Sequence, residues 1–374
     1  MRWDAQALNP ARRAPGTDSA RDSGADTGTA AVPLLPLAGL VRSVSTPEFA
    51  GVTFHEVTAK SVLNKVAAGS RMPFEWTVNP YRGCSHACVY CFARKSHTYL
   101  DFDAGLDFDS QVVVKINAAE VLRRELAKPS WGRQHVALGT NTDPYQRAEG
   151  RYRLMPGIIG ALADSGTPLS ILTKGTLLAR DIPLLKHAAA QVPVGIGISL
   201  AMTDERLSEA IEPGTPGPKA RLKLISRLRD AGLPCGVMAM PILPWLSDSD
   251  EALDSLFSSL AAAGATGVTA GALYLKPGTR EWFMQWIAAR HPELAGRYRR
   301  LYGTGSYASK EYRAWLAGRV RYFKARYGFS GSHGFSHRDA DDPRGEEAAY
   351  PEGSLPAARA GTPGTAQASQ PTLF

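Results

Sequence analysis

Asn79-Pro80-Tyr81-Arg82-Gly83-Cys84-Ser85-His86-Ala87-Cys88-Val89-Tyr90-Cys91-Phe92 sets three of the chain's four cysteines in a C-x3-C-x2-C spacing. Three thiolates on one short loop match three corners of a cubane iron–sulfur cluster and leave the fourth iron open to a ligand from solution. A purely structural cluster would want a fourth cysteine close by. The remaining one, Cys235, lies far along the chain in a run that reads as a buried strand. Zinc also takes thiolates, and His86 or His97 would complete a tetrahedron with them. The second half of a zinc-knuckle pattern is absent, which favours the cluster.

Working outward, residues 74–79 read as a strand that runs straight into this loop. Upstream, residues 1–45 are rich in Ala, Gly, Ser, Thr, Pro, Arg and Asp without a sustained period, so they read as a disordered tail with order beginning near Phe49. Downstream, residues 90–98 suit a short helix, with Arg94 and Lys95 on a solvated face. Residues 111–116 form another strand, and Asn117 caps a helix that Pro129 ends. Strands at 135–139, 169–173, 194–199, 235–240 and 267–273 then alternate with helices at 157–165, 179–190, 219–230 and 250–263. With the strand before the cysteines the core count is six. This pattern is that of a parallel α/β barrel or a doubly wound sheet. Gly195-Ile196-Gly197 falls inside a strand and lacks a third glycine, so it is not a dinucleotide-binding fingerprint.

In parallel α/β barrels the C-terminal strand ends carry the site. The polar residues there are Thr140, Asn141, Thr142 and Asp143, then Thr173-Lys174 and Ser199. Lys174 reads equally well as a solvated residue before Gly175. Hydrophobic residues make up 44% of the 374 residues, and no apolar run approaches the roughly 20 needed to cross a bilayer. The N-terminus shows no apolar signal core and the cysteines are clustered, so a cytoplasmic, reducing setting is expected.

The cysteine loop with its flanks, Asn-Pro-Tyr-Arg-Gly-Cys-Ser-His, resembles the radical S-adenosylmethionine (radical SAM) superfamily, and within it the spore photoproduct lyase-like branch. The resemblance implies an α/β fold, a partial (β/α)6 barrel, over residues 46–275. It implies a 4Fe-4S cluster on Cys84, Cys88 and Cys91, with SAM chelating the open iron and cleaved to a 5'-deoxyadenosyl radical. It further implies that Tyr90 lies against adenine, that Gly139-Thr140-Asn141 meets the SAM amino group, and that Ser199 lies near the ribose. The commonest form of that glycine motif is Gly-Gly-Glu, from which this chain departs. Glu212-Pro213-Gly214 and Pro218-Lys219-Ala220-Arg221 resemble the same branch, with Arg221 expected to fork onto the SAM carboxylate. The lyase uses an additional cysteine as hydrogen donor. Cys235, the one candidate, reads as a core residue, so DNA repair of that particular kind is less supported than radical SAM chemistry.

From Lys276 to Arg326 twelve Lys/Arg face three Asp/Glu, a balance of +9 in a chain whose net charge is +8. Eleven aromatics from Trp282 to Tyr327, among them Trp286, Tyr298, Trp315 and Tyr322, are interleaved with these cations. Residues 276–330 therefore read as a basic helical extension suited to nucleic acid, DNA or RNA, or as an amphipathic pair packed on the barrel. Residues 331–374 read as a flexible tail. It ends in Gln370-Pro371-Thr372-Leu373-Phe374, which resembles the peptide that bacterial repair proteins insert into the sliding clamp, apart from Pro371. The reading is thus a cytoplasmic radical SAM lyase-like enzyme acting on DNA. The alternatives are radical SAM modification of RNA or protein, and a cluster- or zinc-stabilised nucleic-acid-binding protein without catalysis.

Overall fold

A computed structural model describes residues 37–67, 72–329 and 350–357. Its strands are β1 (Leu40–Ser45), β2 (Thr53–Val57), β3 (Leu63–Lys65), β4 (Trp76–Val78), β5 (Tyr81–Arg82), β6 (Gln111–Lys115), β7 (Val136–Leu138), β8 (Leu169–Thr173), β9 (Val194–Ser199), β10 (Gly236–Ile242) and β11 (Gly267–Ala272). Seven of them form one sheet in the order β11-β10-β9-β8-β7-β4-β3. β4 to β11 run parallel within it, and β3 closes one edge antiparallel to β4. The two ends of the sheet do not pair, so the barrel is open. The six parallel strands are the six expected from the sequence.

Strand-to-helix alternation forces this shape. A strand buried on both faces needs a helix outside it, and each crossover returns the chain to the starting end. Val136, Leu138, Leu169, Ile198, Val237 and Val268 are all buried, packed under Leu162, Leu185, Leu224 and Phe257 from the outer helices. Helix Asp250–Ala263 begins where Ser249 accepts the N–H of Ala252.

The remaining strands form a second sheet, β1-β2-β6-β5, that presents the cysteine loop. Here the structure corrects the expected tail at 1–45: β1 pairs antiparallel with β2, with Ser43 opposite His55 and Ser45 opposite Thr53. β1 is mostly exposed and held by polar contacts, Ser43 Oγ to His55 Nδ1 at 2.7 Å and Arg42 Nε to Glu56 Oε2 at 2.8 Å. An edge strand without an apolar face leaves little pattern in the sequence.

The far end also differs from expectation. Within the expected tail 331–374, residues 350–357 cross the N-terminal ends of β9, β10 and β11. Gly353 O accepts from Ile196 N at 2.8 Å, and Glu352 O accepts from Thr266 Oγ1 at 2.6 Å. A Cβ on Gly195, Gly236 or Gly267 would come within 2.4, 2.7 and 2.6 Å of this strap's main chain. Those glycines in strands exist for close backbone approach. The Gln370–Phe374 peptide lies outside the described residues.

The extension folds as helices Thr279–Arg290, Pro292–Tyr302 and Lys310–Arg326. Phe283, Trp286, Tyr298 and Tyr302 pack with Leu243, Leu273 and Leu275 in one core, and Leu316, Val320 and Phe323 join the barrel core. Five of the eleven aromatics expected to stack on bases, Phe283, Trp286, Tyr298, Tyr302 and Phe323, are therefore core residues. Trp315 and Tyr322 remain exposed, at 47% and 56%. With Arg319 and Arg326 they follow helical spacing along one face.

Candidate cluster and cofactor site

β5 hands the chain to the cysteine loop, and its neighbours hold it from several sides. Cys84 N donates to Phe108 O at 2.8 Å, Val89 N to Ile211 O at 2.9 Å, and Gly214 N to His86 O at 3.0 Å. A Cβ on Gly214 would lie 1.9 Å from Ser85 O. Thus the 212–217 loop backs onto the cysteine loop.

The loop after β7 provides the other clamp. Gln146 is fully buried and bridges the cysteine loop, accepting from Ser85 N at 2.9 Å and donating to Gly83 O at 3.0 Å. Thr142 Oγ1 donates to Tyr81 O at 2.7 Å. His86 Nδ1 lies 3.3 Å from Asp143 Oδ2. Burial alone would lower the pKa of His86, but Asp143 and Cys84 carry it up to about 10. Asp143 also accepts from Thr173 Oγ1 and Lys174 N, which joins the ends of β7 and β8. Gly139 stands at φ +85, and a Cβ there would meet Leu172 O at 1.9 Å, so only glycine fits. Thr140 and Asn141 follow it, half-buried, at the same strand end.

Cys84 and Cys88 are buried, and Cys91 is partly so. Burial pushes Cys88 up, and Cys91 up to about 11, with the neighbouring cysteines adding to both shifts. The three thiols are free, a donor set whose protons metal coordination removes. Among the described residues no three His, Cys, Asp or Glu side chains gather tightly enough for a single ion. Three cysteine thiols on one loop are the donor set of a cluster with one open iron. His97, a candidate zinc ligand in the sequence, packs between Phe102 and Phe108, and burial lowers its pKa to about 4.

Beside the thiols sits a buried ionic network. The Tyr90 hydroxyl donates to Glu212, which also pairs with Arg221. Burial opposes the Glu212 charge, yet Arg221, Lys174 and the Tyr90 hydroxyl hold its pKa below the ordinary value. Arg221 is wholly buried and donates to Pro216 O, Ser199 O, Ser208 Oγ, Thr215 Oγ1 and Glu212. Its fork is committed to the protein, which corrects the expected pairing with a SAM carboxylate. Lys174, ambivalent in the sequence, instead turns inward, with Nζ 2.9 Å from Ser199 Oγ and 5.7 Å from the Tyr90 ring. Asn79 Oδ1, at the end of β4, is buried with no hydrogen-bond partner among the described residues.

Cys235 lies at the opposite end. It is buried beside the strap, just before β10, and seven residues of strand put it about 20 Å from the C-terminal strand ends. Burial raises its pKa to about 12. It is a core residue, as the sequence indicated.

Sequence reasoning missed Gln146, Glu212 and the inward Lys174, whose roles depend on long-range partners. The sequence places Arg94 on a solvated face. It is fully buried, and its guanidinium donates to Cys88 O at 2.9 Å and to Asp109 at 2.9 Å.

Comparisons with known proteins agree with this geometry. The radical SAM superfamily model matches residues 78–256. Uncharacterized proteins of Mycobacterium bovis and Mycobacterium tuberculosis are 58% identical over 89% of this chain and 94% of their own length. An uncharacterized Methanocaldococcus jannaschii protein is 28% identical over 46% of this chain and 62% of its own. Among solved structures, spore photoproduct lyase complexed with dinucleoside spore photoproduct superposes with a TM-score of 0.56 at 15% identity, covering 75% of this chain and 81% of that one. A mutant of that lyase with bound AdoMet and the same dinucleoside gives 0.54 at 15% identity, covering 73% and 78%. With the cysteine loop at the mouth of an open parallel barrel, the chain belongs to the radical SAM superfamily and has the fold of spore photoproduct lyase.

Proposed function

We propose that this protein is an enzyme that holds a 4Fe-4S cluster on Cys84, Cys88 and Cys91, binds SAM beside it, and acts on nucleic acid, DNA first, in a lyase-like, repair-type reaction. When bound, the cluster supplies an electron that cleaves SAM and starts radical chemistry on the substrate. The observation that carries the reading is the placing of three free thiols on one loop with a cationic Lys174 and an Asn79 oxygen that has no hydrogen-bond partner among the described residues at the C-terminal strand ends.

The chain's own residues divide the work of binding. Tyr90, fixed by Glu212, offers a flat face to adenine. Gly139, Thr140 and Asn141 give close main-chain approach for the SAM amino group, and Ser199 meets the ribose. Lys174, with ammonium protons left over after Ser199, receives the SAM carboxylate in place of Arg221. Arg221 holds Glu212 and the end of β9 in place.

The nucleic-acid part rests on the +9 balance of residues 276–326 and on the exposed rings of Trp315 and Tyr322. It is also supported by the fold shared with a lyase solved with a dinucleoside photoproduct. We place the enzyme in the cytoplasm, and we propose that Gln370, Leu373 and Phe374 bind a bacterial sliding clamp. The test is anaerobic reconstitution with iron and sulfide, then dithionite and SAM. Formation of 5'-deoxyadenosine supports the reading. Iron uptake without SAM cleavage leaves a cluster-stabilised nucleic-acid binder.

A further inference from the structure

Two main-chain carbonyls of the cysteine loop are held by donors the chemistry above does not use. Thr279 is fully buried at the start of helix Thr279–Arg290, and its Oγ1 donates to Cys91 O at 2.8 Å. Arg94 donates to Cys88 O from Nε at 3.2 Å and Nη2 at 2.9 Å. The rest of the Arg94 fork is spent on Gly105 O at 2.8 Å, Ala104 O at 3.4 Å and both Asp109 oxygens at 2.9 and 3.0 Å. Its guanidinium stacks between Phe108 at 5.3 Å and Trp282 at 4.9 Å, and Trp282 belongs to the same helix as Thr279.

A buried arginine with every contact assigned is costly to build, because desolvation is repaid only by complete hydrogen bonding. A shorter apolar residue would have packed the loop without that cost. The arrangement aims a guanidinium and a hydroxyl at the backbone of two of the three cysteines. An iron–sulfur cluster gains negative charge on reduction, and hydrogen bonding, net charge and burial around its ligands set the potential at which it does so. In a dry site such donors act more strongly than in water.

Resting on the assignment of Cys84, Cys88 and Cys91 as cluster ligands, we infer that Arg94 and Thr279 are positioning residues that hold the reduction potential of the cluster up. Helix Thr279–Arg290 of the extension is thereby a working part of the redox site. Trp282 acts through Arg94, keeping the guanidinium plane against Cys88 O.

The test is a potentiometric titration of the reduced-cluster EPR signal in the reconstituted full chain, with iron and sulfide counted in each sample. Thr279→Val removes one donor at nearly constant shape. Arg94→Met with Asp109→Asn removes the cation together with its counter-charge. Gln285→Ala, exposed on the same helix, is the control. The expected result is wild-type iron content in all, a midpoint shifted to lower potential in T279V and in the R94M/D109N pair, and no shift in Q285A. Iron-loaded T279V and R94M/D109N titrating at the wild-type midpoint overturn the inference. Should the double variant fail to fold, T279V decides alone. A wild-type chain that takes up no iron overturns the cysteine assignment itself, and this inference with it.

Discussion

Lys174 Nζ stands 2.9 Å from Ser199 Oγ, so the C-terminal ends of β8 and β9 are joined by one hydrogen bond over the ring of Tyr90. Burial opposes the ammonium charge, and Cys88 and Glu212 nearby outweigh it, so the pKa of Lys174 is raised and it stays cationic. A hydrogen bond to a charged group is worth about 1.5–3 kcal/mol, or roughly 10- to 100-fold in affinity. Lys174→Met should therefore weaken SAM binding by that factor while iron content stays at the wild-type level. Anaerobic calorimetry with SAM checks it, and unchanged affinity would return the carboxylate to another residue.

Arg221 and Glu212 make the complementary case. Each is buried and each is the other's counter-charge. Removing one partner of such a pair costs about 3–5 kcal/mol because the other charge is left unpaired. Arg221→Met should lose that much in urea unfolding, and the Arg221→Met/Glu212→Leu pair should lose less than the two single changes summed. Additive losses would mean that the pair is not coupled.

How much of this was legible in the sequence follows from where the information lies. The six barrel strands were readable because each is a short apolar run, such as Val136-Ala137-Leu138, bounded by turn residues. The cysteines were readable because their ligand spacing is local. Arg94 and Arg221 were not, because a charged residue on a helix turn has the same local pattern whether it faces water or a buried carboxylate. Only the arrival of Asp109, Trp282 or Glu212 decides the matter. Residues 350–357 likewise read as a tail, since a strap bound by main-chain atoms needs no apolar period of its own.

The metal assignment has a sharp outcome. Cys84→Ala, Cys88→Ala and Cys91→Ala should each abolish reconstituted iron absorption. Cys235→Ala should keep it, because Cys235 is at the other end of the barrel. Loss of iron in Cys235→Ala would overturn the ligand set.

Nucleic-acid binding should fall with salt, since cations on the extension release counterions from phosphates. Arg297, Arg299 and Arg300 are exposed, with Arg297 stacked 4.3 Å over Trp245. Reversing all three to Glu should weaken oligonucleotide binding by at least tenfold and flatten its salt dependence, with the iron content unchanged. Fluorescence anisotropy over a salt series reads both. Binding indifferent to the reversal would reduce the extension to a packing element.

The strap gives the last test, and its logic is steric. Gly236 lies at the start of β10, with the carbonyl oxygens of Glu352 and Pro351 where a Cβ would stand, at 2.7 and 2.8 Å. Main-chain atoms on both sides leave no flexible side chain to move aside. A valine there must push residues 350–357 off the barrel floor, exposing Ser354 and the ends of three strands. Overpacking of this kind costs about 1–3 kcal/mol. Gly236→Val should lose that amount in urea unfolding. A chain ending at residue 349 should be destabilised as well, and Gly236→Val placed in that truncated chain should cost less than it does in the full one, because the clash is gone. Equal cost in both would show that the valine disturbs the strand itself and that the strap is not what the glycine accommodates.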